Sequence, residues 1–223
     1  KKYKKKFSCD GVVWEFGYVD QKNRPIIGLG MKGLLYVELT VKESIRDVHS
    51  SFAVIIKNPA WRLIQALNTM RDENGKILIK GWYDDITPLS KNEINLIKKE
   101  PFDSAGFKKE YGVKSFVGNK NAFNAKKALV SGVTCNIAGI ESGYTGDGAK
   151  TVLPGTAKVK IDFRLVPNMD PKKLIKLLRK HLRVNGFGDI SINVLNAESA
   201  ARTNPNEKIV NTVCESTKKI FGD

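Results

Sequence analysis

The sequence is poor in the residues that build disulfide-linked or cysteine-ligated domains. Its 223 residues contain three cysteines, and Cys9, Cys135 and Cys214 are far apart and outside any Cys-x-x-Cys spacing. An odd number of widely spaced cysteines argues against a disulfide framework and against a cysteine-rich zinc knuckle. A reducing compartment fits this usage best, and we expect the protein to be cytoplasmic.

Long hydrophobic runs are also absent. No apolar run approaches the ~20 residues that a membrane span needs, and no apolar core with a small-residue cleavage site follows the basic residues 1–7. We therefore expect no membrane partner. Because the first residue already lies inside that basic segment, we expect the chain to be part of a longer protein.

Acidic residues are few relative to basic ones. Lys and Arg number 38 against 23 Asp and Glu, which gives a net charge of +15. Such a charge attracts nucleic acid non-specifically. The lysines are spread over nearly every predicted helix, however, so we expect a solvated surface and no specific nucleic-acid partner.

One hypothesis is that the chain is not an enzyme. It would then be a bare dimerisation domain or a basic nucleic-acid-binding module. An RNA-binding sheet of this kind needs aromatic pairs on its central strands. Tyr36 and Phe163 are the only candidates for such a pair.

Histidine is scarce as well, and one of the two histidines follows the clearest strand of the chain. Leu35, Val37, Leu39 and Val41 alternate with polar residues over 33–42, which predicts a half-buried strand. The loop after it carries His49. A neutral imidazole can exchange a proton, or donate to an oxyanion, near pH 7. The alternative is a polar loop in which Asp47 caps a neighbouring backbone group and His49 has no functional role.

Three other residues are candidates from their positions alone. Asp10 precedes a predicted apolar strand at 12–16, a common ligand position, although the nearby sequence supplies no further ligands and a turn is the alternative. Arg164 ends an alternating strand at 157–165, where its guanidinium could clamp a carboxylate or pair with Asp162. His181 lies in a basic helix, and we interpret it as a surface residue.

The order of predicted elements indicates an α+β fold. Without a helical insertion at about 72–131, the elements run strand, helix, strand, strand, helix, strand. This is the ferredoxin-like βαββαβ unit, a four-stranded antiparallel sheet with two helices on one face. Residues 77–79 are predicted as a short strand and 134–138 as another. The pieces at each end of the chain do not complete a core of their own.

Four stretches together resemble the zinc-dependent exopeptidases and deacylases, the family of carboxypeptidase G, acetylornithine deacetylase, succinyl-diaminopimelate desuccinylase and the cytosolic dipeptidases. The W-E-F-G and F-R-L-V-P-N segments look most like the dipeptidase branch. The four stretches are residues 9–17 (C-D-G-V-V-W-E-F-G), 46–50 (R-D-V-H-S), 139–144 with 150–154 (G-I-E-S-G-Y and K-T-V-L-P) and 163–168 (F-R-L-V-P-N).

The resemblance implies a domain plan and an activity. Residues 31–200 would be the ferredoxin-like lid that forms the homodimer, while 1–30 and 201–223 would belong to an α/β catalytic domain. The complete enzyme would use two zinc ions to hydrolyse dipeptides or N-acyl amino acids.

The resemblance also implies roles for four residues. Asp10 matches a zinc ligand, and His49 matches a lid histidine that stabilises the oxyanion in the partner subunit's site. Arg164 matches the arginine that holds the substrate carboxylate, and Thr151 matches a substrate-contacting polar residue.

Other motifs of the family have no counterpart here. The H-x-D motif, the Glu-Glu pair and the final ligand histidine are missing, so we expect the fragment alone to be inactive. Where relatives often carry another histidine, this chain has N-A-E-S-A at 196–200.

Overall fold

The computed structural model describes residues 3, 5–14, 17–20, 23–100 and 102–222. They form two compact units, Lys1–Met31 with Arg202–Asp223, and Lys32–Ala201. Among the described residues, no helix is long and apolar enough to cross a membrane.

The fold is mixed α+β with antiparallel pairing. Two short 3-10 helices, Ser50–Val54 and Val117–Asn119, accompany the main elements. In chain order these are β1 (Tyr18–Val19), β2 (Pro25–Ile26), β3 (Gly30–Met31), β4 (Gly33–Lys42), β5 (Val48–His49), α1 (Pro59–Asn68), α2 (Lys91–Lys99), α3 (Ser104–Tyr111), α4 (Ala122–Ser131), β6 (Asn136–Ser142), β7 (Val152–Leu153), β8 (Thr156–Leu165), α5 (Pro171–Val184), β9 (Ser191–Glu198), β10 (Ala201–Arg202) and α6 (Lys208–Phe221).

The larger unit is built on a four-stranded sheet with the order β6-β8-β4-β9. Each neighbouring pair is antiparallel, and the central register places Leu35 opposite Phe163. A bulge interrupts the β4–β9 ladder between Tyr36 and Val37. The two edges of the sheet are therefore β6 and β9.

Alternation along the central strands separates a buried face from a solvated one. Every second residue of β4 from Leu35 to Val41 is buried, and β8 shows the same period from Ala157 to Leu165. The apolar stripes of α1 and α5 belong to the same core. Burying such side chains at about 25 cal/mol per Å² is the main force holding the sheet to its helices. The helical residues buried there are Leu63, Ala66, Leu174, Leu178 and Leu182.

Both core helices begin at a capping side chain followed by proline. The side chain of Asn58 accepts a hydrogen bond from the backbone N–H of Ala60, and Pro59 is the first helical residue of α1. Asp170 caps α5 in the same way. At α2, Ser90 and Glu93 form a capping box.

The segment between α1 and β6 contributes its first residues to the same core. Ile77, Ile79 and Trp82 are buried there, and the Trp82 and Phe163 rings lie 4.7 Å apart. The strand predicted at 77–79 is wrong, because only an isolated bridge between Arg71 and Ile77 forms. The buried side chains here are held by packing, without a strand ladder.

Two further predictions about strands need correction. Residues 11–14 are irregular, and Val12, Val13 and Trp14 are exposed. Within the described residues no strand pairs with them, so apolar character alone does not make a strand; Phe16 lies outside those residues. The strand predicted at 134–138 runs instead from Asn136 to Ser142, because the glycine-containing segment pairs with β8.

Candidate functional site

His49 lies on a two-residue ladder that joins distant parts of the sequence. β5 pairs with β7, with His49 opposite Val152, and the N–H of Ser50 donates to the carbonyl of Thr151. The ladder brings His49 Nε2 within 3.4 Å of Thr151 Oγ1. Two residues predicted separately as functional are thus neighbours on the surface.

The surroundings of the His49 ring determine its tautomer. The backbone N–H of Ser51 donates to His49 Nδ1 at 3.2 Å, and Ser51 Oγ lies 2.8 Å from the same nitrogen. A backbone N–H can only donate, so Nδ1 carries the lone pair and the neutral ring carries its proton on Nε2. The exposed His49 therefore presents an N–H donor beside the Thr151 hydroxyl.

Asp47 fixes the loop that carries His49. Its Oδ1 accepts a hydrogen bond of 2.9 Å from the N–H of Gly155, next to the start of β8. Gly155 has to be small there, because a Cβ would lie 3.0 Å from both the Arg46 backbone and Ser44 Oγ. The suggested capping role of Asp47 is thus a tertiary anchor, and it positions His49.

Arg164 is exposed near the far end of β8. Its Nε lies 3.7 Å from Asp162 Oδ1, so the ion pair weighed as an alternative is present, although it is longer than a hydrogen bond. Asn136 donates to the other oxygen of Asp162 at 2.7 Å. Half of the Arg164 side chain is exposed (51%), which leaves its outer nitrogens free to bind an anion.

Sequence reasoning missed two residues beside Arg164. Thr134 Oγ1 accepts from the Arg164 N–H at 3.0 Å. Lys32 Nζ donates to the carbonyls of Gly132 and Ala128, at 2.6 and 3.3 Å, at the C-terminal end of α4. Burial, and secondly the charge of Arg164, lower the pKa of Lys32. The only feature of the sequence that could have pointed to Lys32 is its position between two apolar segments flanked by glycine.

The His49–Thr151 pair and Arg164 belong to opposite ends of the sheet. Asp47 is tied to Gly155 beside the first residue of β8, and Arg164 is eight residues further along that strand. At ~3.4 Å per residue, the separation along β8 is roughly 27 Å. A dipeptide cannot span that distance, so one chain cannot present both ends to the same small substrate.

Asp10 belongs to the other compact unit and lies exposed in a bend. A protein zinc site takes three or four side-chain ligands. In the part of the chain that the structure describes, no group of three or more His, Cys, Asp or Glu side chains could hold a metal ion. Asp10 alone therefore does not constitute a metal site.

Two interpretations of other residues change with the structure. His181 is half-buried, with Nε2 2.9 Å from Thr69 Oγ1, so the surface assignment is wrong. Burial lowers the pKa of His181. Phe163 is fully buried and Tyr36 faces the other side of the sheet, so these two aromatics form no exposed stacking pair.

Comparison with known proteins gives consistent matches. The family profile described as the peptidase dimerisation domain of the M20 group matches residues 29–189. Beta-Ala-His dipeptidase from Mus musculus is 28% identical over 96% of this chain and 45% of its own length. Cys-Gly metallodipeptidase from Candida albicans is 32% identical over 71% of this chain and 33% of its own length.

Solved structures show the same relationship. An M20 family metallo-carboxypeptidase from Sulfolobus solfataricus has 42% identity and a TM-score of 0.94, covering 100% of this chain and 58% of that chain. Human carnosine dipeptidase 1 has 27% identity and a TM-score of 0.78, covering 90% and 44%. The chain spans 33% to 58% of the length of these four proteins. It belongs to the M20 peptidase family, whose dimerisation domain accounts for most of its length.

Proposed function

We propose that residues 31–200 are the ferredoxin-like lid of a dimeric zinc dipeptidase, joined to catalytic-domain segments at 1–30 and 201–223. The observation that carries the proposal is the pairing of His49 with Thr151 at one end of the sheet, with Arg164 at the other end. Metallodipeptidases among the relatives support dipeptides as substrates, and N-acyl amino acids share the same scissile amide.

Arg164 would hold the free carboxylate of the substrate. Its guanidinium fork can make two parallel hydrogen bonds to a carboxylate, and Asp162 restrains the Nε side of that fork. The neighbouring Lys32 adds positive charge next to Arg164. This arrangement favours substrates with a free C-terminal carboxylate.

His49 would stabilise the oxyanion that forms when the amide carbonyl is attacked. Its Nε2–H is fixed as a donor by the hydrogen bond from the Ser51 N–H to Nδ1, and Thr151 Oγ1 lies beside it. Oxyanion donors act best when they are oriented before the reaction begins. Since this pair lies far from Arg164, it would serve the active site of the partner subunit.

Asp10 would contribute one carboxylate to the zinc site. The described residues supply no further cluster of ligands, so the other ligands would have to come from elsewhere in a longer protein. This chain alone should not turn over dipeptides.

The open edge strand β6 supports dimerisation of the lid. Ile137 and Ile140 lie opposite the buried Ile161 and Val159, on the core face of the sheet, yet they are 50% and 58% exposed. The 3-10 helix that follows His49 carries further exposed apolar surface, of which Val54 is the most exposed residue. Bare edges with apolar side chains invite pairing, and a twofold partner would cover this one.

Kinetic analysis of the intact protein with zinc and a dipeptide panel tests the proposal. We expect His49→Ala to lower kcat on the order of 10²-fold, the typical cost of losing one oxyanion donor. Arg164→Ala should mainly raise KM, whereas Lys160→Ala, on the same face of the same strand, should change neither. Unchanged kinetics in both His49→Ala and Arg164→Ala would contradict the proposal.

A further inference from the structure

Helix α5 carries six Lys and Arg side chains. It contains no acidic residue, and its basic side chains repeat at spacings of three and four residues, where like charges repel. Lys173 pairs with Asp85, but within the described chain no ion pair forms at four of the others. These four are Lys176, Arg179, Lys180 and Arg183.

The four cations line one groove of about 340 Å³. The same groove has an apolar floor that includes Phe187, Ile190 and Ile192. The acidic residue next to this lining, Asp189, is bound by Arg62. The groove therefore places positive charge that has no ion-pair partner among the described residues above a largely buried apolar floor, and no residue proposed for peptide hydrolysis lines it.

One wall of the groove is the open edge of the sheet. β9 pairs only with β4 among the described strands, so its outer backbone groups have no ladder partner. Arg179 Nη2 reaches across to the carbonyl of Ile192 at 3.4 Å, a long and weak hydrogen bond. The backbone N–H of an incoming strand could donate to that carbonyl and displace the Arg179 guanidinium.

We propose that this groove binds an extended acidic segment of a partner protein, which adds to the edge of β9. In an added strand, alternate side chains point to opposite sides at intervals of ~6.8 Å. Carboxylates on the side that faces α5 would meet its cations, which recur every ~5–6 Å along the helix, and the alternate side chains would lie over the solvated face of the sheet. An open sheet edge favours peptide over nucleic acid, because only peptide can extend the ladder. Phe187, the aromatic ring of the groove, is already covered by the Arg62 guanidinium at 5.1 Å.

Fluorescence anisotropy at physiological salt tests this with the chain as it is. The probe is a labelled peptide that alternates Glu with Val. Its three comparison probes are a Gln-for-Glu version, a version N-methylated on one edge, and a single-stranded oligonucleotide. We expect the Glu-Val peptide to bind, and both altered peptides to bind at least tenfold more weakly, since each loses either the charges or the ladder hydrogen bonds.

Charge reversal locates the binding. The double variant Lys176→Glu with Lys180→Glu should bind the Glu-Val peptide on the order of tenfold more weakly. The matched reversal Lys91→Glu with Lys98→Glu on α2 should change the affinity for this peptide by no more than about twofold. Tighter binding of the oligonucleotide, or equal loss in both reversals, would overturn the proposal.

A second readout separates docking from edge protection, because charged side chains also keep open strand edges from self-associating. If the α5 cations serve only that purpose, no peptide binds and the Lys176→Glu, Lys180→Glu variant self-associates in sedimentation analysis. That result would also overturn the proposal.

Discussion

Thr134 and Arg164 exchange two hydrogen bonds just beyond the end of the β6–β8 ladder. The Arg164 N–H donates to Thr134 Oγ1 at 3.0 Å, and the Thr134 N–H donates to the Arg164 carbonyl at 3.3 Å. On its other side, Arg164 lies opposite Leu34 of β4. The backbone of the proposed carboxylate-binding residue is thus held from both sides.

Removing the Thr134 hydroxyl should loosen this position. We expect Thr134→Val to lower the free energy of unfolding by about 1 kcal/mol, the usual net value of one hydrogen bond, and to speed amide hydrogen exchange at Arg164. Urea unfolding and exchange by mass spectrometry measure the two effects. Thr134→Ser keeps the hydroxyl and serves as control; equal behaviour of both variants would show that the hydroxyl does not hold Arg164.

Asp47 provides a comparable test for the other end of the sheet. Asp47→Ala removes the acceptor for the Gly155 N–H and should release the loop that presents His49. We expect the free energy of unfolding to fall by about 1 kcal/mol, together with faster exchange at Ser50. Asp47→Asn retains an oxygen acceptor at the same place, so it should preserve the loop. If Asn behaves like Ala, the carboxylate charge matters more than the hydrogen bond.

The stability of the larger unit should depend on His181 as the pH falls. Because burial lowers the pKa of His181 in the folded state, the unfolded chain takes up its proton first, near pH ~6.5. The free energy of unfolding should therefore decrease as pH falls from 7 through 6 and level off below the folded pKa. Urea unfolding between pH 7 and 5 should show a shallower decrease for His181→Gln than for the natural chain. Parallel profiles would mean that His181 titrates alike in both states.

The edge strand β6 gives a prediction about assembly. Ile140→Lys places a charge on the exposed apolar edge and should shift the intact protein from dimer to monomer in sedimentation velocity. Leu129→Lys, at an exposed apolar position on α4, is the matched control and should remain dimeric. A dimer that survives Ile140→Lys would place the interface elsewhere.

Period-two and period-3.6 patterns predicted the central strands, α1 and α5 because these elements bury one face. Residues 11–14 and 77–79 have the same apolar character, yet one segment is exposed and the other is held by packing. Local composition cannot reveal whether a neighbouring strand is available. The short ladder of β5 with β7 was invisible for the same reason, since its pairing spans about a hundred residues.

Candidate residues could be predicted one at a time, but their geometry could not. Nothing in the sequence places His49 beside Thr151, because their contact depends on the Asp47–Gly155 anchor. Lys32 was missed because its lowered pKa arises from burial and from Arg164, which is distant in sequence. Similarly, the partner of His181 is Thr69 on another segment.

In the proposed dimer, each active site combines His49 from one subunit with Arg164 from the other. Mixing His49→Ala and Arg164→Ala versions of the intact protein, with subunit exchange verified, tests it most directly. In a random 1:1 mixture about half of the dimers are heterodimers, and each would hold one complete site of two. At a dipeptide concentration far below KM, where both variants are slow, we predict recovery of roughly a quarter of the natural activity; a mixture no more active than the two variants alone would contradict this pairing of His49 with Arg164.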